Sequence, residues 1–103
     1  MPAPYYTRGD VTLYLGDCIA LMEAMPDESV DLVFADPPYN LSNGGFTCHS
    51  GRRAPVDKGA WDSSSGIEED FSFHCEWIAA CKRVLKETGS IWISGTYFEQ
   101  LIF

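Results

Sequence analysis

Apolar and polar positions first alternate from Val11 to Leu15, with Val11, Leu13 and Leu15 on one side and Thr12 and Tyr14 on the other. A period of two predicts a strand. Gly16 ends it, and Asp17 is suited to cap a helix over about Cys18 to Met25, because its carboxylate can accept from the helix's first unpaired N–H groups. Ile19, Met22 and Met25 share one face of that helix, as core-packing residues do. Pro26-Asp27 stops it. Val30 to Ala35, VDLVFA, is a short apolar run rich in β-branched and aromatic residues. It predicts a strand buried on both faces, as in a parallel sheet. Asp36-Pro37-Pro38-Tyr39-Asn40 follows at once. Proline donates no ladder hydrogen bond, so the strand ends where this segment begins.

Residues 40–66 are rich in Gly, Ser and charge and predict one long loop. Loops of that length in a compact domain go with function or mobility. A helix is predicted from Glu69 to Lys86, with Phe71, Cys75, Ile78 and Leu85 near one face and Glu76, Lys82 and Lys86 mostly off it. Its acidic start (Glu68, Glu69, Asp70) and basic end (Lys82, Arg83, Lys86) suit the helix dipole. Gly89 is the expected C-terminal cap, and Ser90 to Ser94 the third strand. Strands alternating with helices imply parallel pairing through right-handed crossovers. The expected class is α/β, a doubly wound, mostly parallel sheet. Three strands are few for such a sheet, and the chain closes on apolar Leu101-Ile102-Phe103. Residues 1–103 are therefore expected to form one partial, incomplete domain.

Composition narrows the function classes. The chain has 103 residues, 46% of them hydrophobic, enough for one modest core. Its formal net charge of −8 excludes a basic module held to nucleic acid by bulk charge, but not a local contact. No apolar run approaches the ~20 residues that span a bilayer, so no membrane partner is expected. The polar N-terminus lacks an apolar signal core, which makes cytoplasmic residence the default expectation. Cys18, Cys48, Cys75 and Cys81 form no Cys-x-x-Cys pair. Cys48-His49 and His74-Cys75 are neighbours that point in different directions, so each pair offers one ligand. Buried reduced thiols are expected, and no metal site.

The chemistry concentrates after the VDLVFA strand. In open α/β sheets, ligands bind outside the carboxyl ends of strands. Asp36 supplies a carboxylate acceptor there, Pro37 a carbonyl on a stiff backbone, and Tyr39 a flat aromatic face. Two acceptors beside a stacking surface suit a planar group bearing an NH2.

Asp36-Pro37-Pro38-Tyr39 after an apolar strand resembles the signature of amino-group DNA methyltransferases. The wider stretch resembles the N-terminal part of the family's beta group. It comprises Leu15-Gly16-Asp17-Cys18, Pro26 to Leu32, the tetrapeptide, Trp61-Asp62, the long helix and Gly89 to Ile93. The likeness covers about residues 10 to 97. It implies a Rossmann-like fold and methyl transfer from S-adenosylmethionine to an amino nitrogen of DNA, as in restriction-modification. Asp at the first motif position favours N6 of adenine over N4 of cytosine, which stays the alternative. Relatives that methylate free amino acids or protein glutamine show Asn there.

By the same resemblance, Asp36 and the Pro37 carbonyl bind the target amino group, Pro38 completes the rigid motif and Tyr39 stacks on the base. Double-stranded DNA must present that base flipped, since the stack hides the amino group. Asp17 matches a position that contacts the cofactor's adenosine end, although an N-cap alone explains an Asp there. Arg52, Arg53 and Lys58 cluster in the long loop and can reach phosphates, with Asn43, Thr47 and Ser50 as polar neighbours. A solvated loop explains them as well. Trp61 is the expected anchor of that loop, and Gly44-Gly45 lacks the context of a phosphate-cradling motif. The family's Phe-x-Gly-x-Gly cofactor segment and its recognition region have no match here. The expectation is thus a methyltransferase piece, inactive by itself, that needs a C-terminal half or a complementary chain. A non-catalytic interaction module is the other reading.

Overall fold

The structure, a computed structural model, describes residues 1–38, 46–49, 52–55 and 66–95, with backbone alone for 46–49 and 52–55. The elements are β1 (Tyr6–Arg8), β2 (Val11–Leu13), α1 (Cys18–Glu23), β3 (Val30–Ala35), β4 (Phe46–His49), β5 (Arg52–Pro55), α2 (Ile67–Val84) and β6 (Leu85–Ile93). The strands form three pairs, β1–β2, β3–β6 and β4–β5. The chain divides into two units, Met1–Val33 with Cys75–Ile91 and Phe34–His74 with Trp92–Phe103. No helix among the described residues is long and apolar enough to cross a membrane.

The first pair corrects the expectation for Val11 to Leu15. That strand ends at Leu13 and pairs antiparallel with β1, in the register Tyr6↔Leu13, Thr7↔Thr12 and Arg8↔Val11. The two-residue link is Gly9-Asp10, and Gly9 has φ +56°. Asp10 is not at positive φ, so the link follows the type II′ pattern, whose twist matches a hairpin. Hairpin pairing satisfies these strands locally, without a crossover.

In the unit that holds α1, Asp17 is the N-cap, as the sequence predicts. Its Oδ1 accepts from the Ala20 N–H at 2.9 Å. Ile19, Met22 and Met25 are half-buried and the rest of α1 is mostly exposed. The helix closes at Glu23, and its end is held from outside. Arg83 of α2 donates from Nη1 to the Met25 carbonyl at 3.0 Å and from Nη2 to the Met22 carbonyl. The same guanidinium pairs with Asp27. The first of the adjoining backbone pairs follows, with the Glu28 N–H on the Arg83 carbonyl at 3.0 Å and the Ser29 N–H on the Val84 carbonyl at 2.8 Å. Glu28 sits at φ +52°, an unfavourable region for a residue with a Cβ, and this hydrogen bond helps hold it there.

β3 has the predicted bounds. Residue numbers rise together along its contacts with β6, from Ser29–Val84 to Ala35–Ser94, so this pair is parallel. In an even parallel ladder the second donor would be Trp92, so β6 uses two residues more than an even register would between those contacts. The approach of the two strands is tight at Gly89. A Cβ there would stand 2.8 Å from Leu85 Cδ2, 2.9 Å from the Lys86 carbonyl oxygen and 3.1 Å from the Asp31 carbonyl oxygen. Gly89 is therefore not the helix cap. α2 stops at Val84, and Gly89 is required by close backbone approach rather than by a left-handed φ.

Burial corrects two more expectations. The strand was to be covered on both faces, yet Leu32 is 56% and Phe34 73% exposed. Among the described residues β3 has one strand neighbour, and an apolar run cannot state how many layers cover it. On α2 the buried stripe is His74, Trp77, Cys81 and Val84, not Phe71, Cys75, Ile78 and Leu85. Phe71 and Cys75 are exposed, whereas Ile78 and Leu85 are half-buried at the stripe's edge. The Cys81 thiol approaches Met22 Sδ at 3.8 Å, so α1 packs on this stripe. The predicted long loop contains β4 and β5, paired antiparallel from Phe46↔Pro55 to His49↔Arg52. Ser50-Gly51 between them was the available hairpin signal.

Two stability outcomes follow. Arg83→Ala should cost about 2–4 kcal/mol by urea unfolding: charged donors to backbone carbonyls are worth about 1.5–3 kcal/mol each, and two of them on a partly exposed side chain realise less than their sum. Asp27→Ala should cost under about 1 kcal/mol, because that carboxylate is largely solvated. Equal losses would refute the carbonyl clamp. Gly89→Ala should cost about 1–3 kcal/mol from overpacking, seen as a lower urea midpoint at unchanged slope.

Candidate functional site

Asp36 is the first residue after β3, at the carboxyl end of the parallel pair. The ladder ends there with the Ser94 N–H donating to the Ala35 carbonyl at 3.0 Å. The Ser94 hydroxyl donates to Asp36 Oδ1 at 2.7 Å, and a longer contact of 3.3 Å reaches the Ala35 carbonyl. A hydroxyl has one proton, and the shorter, charge-assisted bond to the carboxylate takes most of it. Asp36 is exposed, while Pro37 and Pro38 behind it are half-buried. An accessible carboxylate thus leads a stiff segment and is held from the neighbouring strand. The sequence marks Ser94 only as a strand end. The usable signal was position: in a parallel pair, a polar residue just past one strand lies level with the residue just past the other.

The remaining predicted site residues are placed as follows. Asp17 caps α1 in the other unit and is exposed. Arg52 and Arg53 lie in β5, in register with His49 and Cys48 of β4. Tyr39, Lys58, Trp61, Asn43 and Ser50 lie outside the described residues, as do Gly44 and Gly45, and Thr47 is in β4.

A pocket of about 470 Å³ opens in the unit of α1, lined by the apolar Ile78, Leu85 and Ile91 and by the charged Lys82, Lys86, Glu28 and Glu87. None of the predicted site residues lines it. Three cysteines are described with their side chains. Cys18 and Cys75 are exposed and Cys81 is buried, so the expectation of buried thiols holds for Cys81 alone of these three. Cys18 opens a surface helix, and Cys75 falls off the buried stripe of α2. Burial, and then the Asp17 carboxylate, push the Cys18 thiol up; burial, and then Cys18, push up Cys81. Both stay protonated at neutral pH, whereas the reactive form of cysteine is the thiolate.

A sequence model of a DNA methylase family matches residues 30–102, a span that includes Asp36 and Ser94. The chain is 45% identical over 96 residues to the Type II methyltransferase M2.DpnII of Streptococcus pneumoniae, covering 93% of this chain and 36% of that one. M2.LlaDCHI of Lactococcus lactis subsp. cremoris matches to the same extent, 45% over 96 residues, with 93% and 36% covered. M2.MboI of Moraxella bovis is 43% identical over 96 residues, with 91% and 35% covered. The chain spans about a third of the length of these relatives.

The N-cap geometry of Asp17 has a direct test. Asp17→Ala should lower stability by about 1 kcal/mol, and Asp17→Asn should leave it within a few tenths, because asparagine caps equally well. Urea unfolding of the two variants measures this. An equal loss for Asn would mean that the charge, not the cap, is what stabilises α1.

Proposed function

Because the chain belongs to the DNA methylase family, we propose that it carries the amino-group-binding part of an active site for methylating N6 of adenine in DNA. The observation that supports this most is the exposed Asp36 carboxylate, fixed by Ser94 at the carboxyl end of the β3–β6 pair. The full doubly wound, Rossmann-like sheet belongs to the same proposal. In it, the β3–β6 pair is one part of a larger parallel sheet.

The chain's own residues act by holding a nitrogen. Asp36 Oδ and the Pro37 carbonyl accept the two amino protons of a flipped adenine, and Tyr39 stacks on the ring. With both protons engaged in one plane, the nitrogen lone pair is directed out of the ring system. Pro37 and Pro38 stiffen the backbone that carries the two acceptors. S-adenosylmethionine, when bound, supplies a methyl group already activated by its sulfonium. The task left to the protein is therefore positioning and charge placement rather than strong base catalysis. Asp17 fits the adenosine end of such a cofactor. Its exposed carboxylate spends one acceptor site on the Ala20 N–H, and a carboxylate has several. Arg52, Arg53 and Lys58 are proposed to neutralise phosphates beside the flipped base. The C-terminal half of a full-length chain, or a complementary polypeptide, would supply the remaining cofactor wall and the recognition of sequence.

The experiment is Asp36→Ala in the full-length enzyme, assayed with tritiated S-adenosylmethionine and an adenine-containing duplex. Methyl transfer should fall by about 100-fold or more, the scale for losing one preorganised polar contact to the reacting group. Cofactor affinity should stay within about 3-fold, since the acceptor holds the base and not the cofactor. Chromatography of the wild-type product should show N6-methyladenine. Turnover by Asp36→Ala near the wild-type rate, or N4-methylcytosine as the product, would overturn the assignment.

A further inference from the structure

We infer that Ser94 is a positioning residue for the transfer reaction, acting through its hydroxyl on Asp36. The inference rests on the function proposed for Asp36 and extends it to a second strand.

The carboxyl group of an aspartate turns easily about its last bond, where the torsional wells are broad. Asp36 is exposed, so packing alone does not stop that rotation. Holding one proton of an amino group while a neighbouring carbonyl holds the other needs the acceptor within about 10–20° of its productive direction. Ser94 supplies the constraint. Its Oγ lies 2.7 Å from Oδ1, which selects one rotation of the carboxylate and so fixes where Oδ2 points. The donor is itself anchored, because the Ser94 N–H is bonded at 3.0 Å to the carbonyl of Ala35, the residue that precedes Asp36. Backbone and side chain of Ser94 therefore grip two consecutive residues of the other strand. The backbone bond sets the level of Ser94, and the hydroxyl then sets the plane of the carboxylate. Removing the hydroxyl leaves the ladder bond intact. The loss is orientational, not architectural, and it separates this role from a merely structural one.

The hydroxyl also suits the chemistry. It orients Asp36 without bringing a positive charge of its own, so the carboxylate keeps its strength as an acceptor.

The test uses Ser94→Ala, Ser94→Thr and Ser94→Cys in the full-length enzyme, beside Asp36→Ala. Ser94→Ala should lower kcat about 10- to 100-fold, with KM for DNA and for S-adenosylmethionine within about 3-fold and the melting temperature nearly unchanged. Ser94→Thr, which keeps the hydroxyl, should restore most of kcat. Ser94→Cys, a weak donor of similar shape, should resemble Ser94→Ala and serves as the reading if the alanine variant does not fold. Wild-type kcat for Ser94→Ala beside an inactive Asp36→Ala would overturn this inference and leave the proposed function standing. Full activity in both variants would overturn the function itself. A kcat loss that Thr does not restore, with a matching fall in melting temperature, would make Ser94 structural and also overturn the inference.

Discussion

The guanidinium of Arg83 is the contact on which one unit of this chain depends. A helix as short as α1 cannot hold itself in water, since nucleation costs nearly as much as its few hydrogen bonds return. Its first turn is capped by Asp17, and at its other end the Ala24 and Met25 N–H groups donate to the Leu21 and Met22 carbonyls. Arg83 adds a second donor to the Met22 carbonyl and reaches that of Met25 just past the helix, with a planar fork suited to several acceptors at once. The main chain of the same residue accepts from Glu28 and so starts the approach of β3 to β6. One residue near the end of α2 thus closes α1, holds the Pro26-to-Ser29 turn and opens the parallel pair. Lysine could supply the charge but not that geometry.

The parallel pair then runs through a register that is fixed at the start by backbone bonds at Ser29 and at the finish by one at Ala35. Between them β6 runs two residues longer than an even ladder would, and it passes β3 closely at Gly89, where no side chain fits. In an even ladder the donor to the Ala35 carbonyl would be Trp92, which carries no hydroxyl, so the surplus is what brings Ser94 to that level.

Legibility in the sequence followed how local the determining interaction is. The Asp17 cap, the half-buried Ile19, Met22 and Met25 face and both ends of β3 were readable, because caps, one helical stripe and two prolines act within a few residues. β1 was missed because Tyr6, Thr7 and Arg8 bury nothing and are strand only through their hairpin partner, although Gly9-Asp10 marked the turn. β4 and β5 were hidden by the glycine, serine and charge around them. The stripe on α2 was misplaced by about one position. Its choice lies with what packs on it, and Met22 of α1 meets Cys81 rather than Ile78. The motif Asp36-Pro37-Pro38 was legible as chemistry, but its holder was not. The hydrogen bond from Ser94 joins residues 58 apart in sequence and leaves no periodicity to read.

Three aspartates along this stretch, Asp27, Asp31 and Asp36, meet partners from the end of α2 and from β6, and the partners differ in kind. Asp27 pairs with Arg83 and Asp31 with Lys86 at 2.9 Å, both as largely solvated ion pairs. Asp36 receives a hydroxyl. Exposed ion pairs at the first two positions contribute little beyond local order. At the third, the bond from Ser94 acts on direction: on the proposed reading it turns the carboxylate toward the amino group that the site would hold.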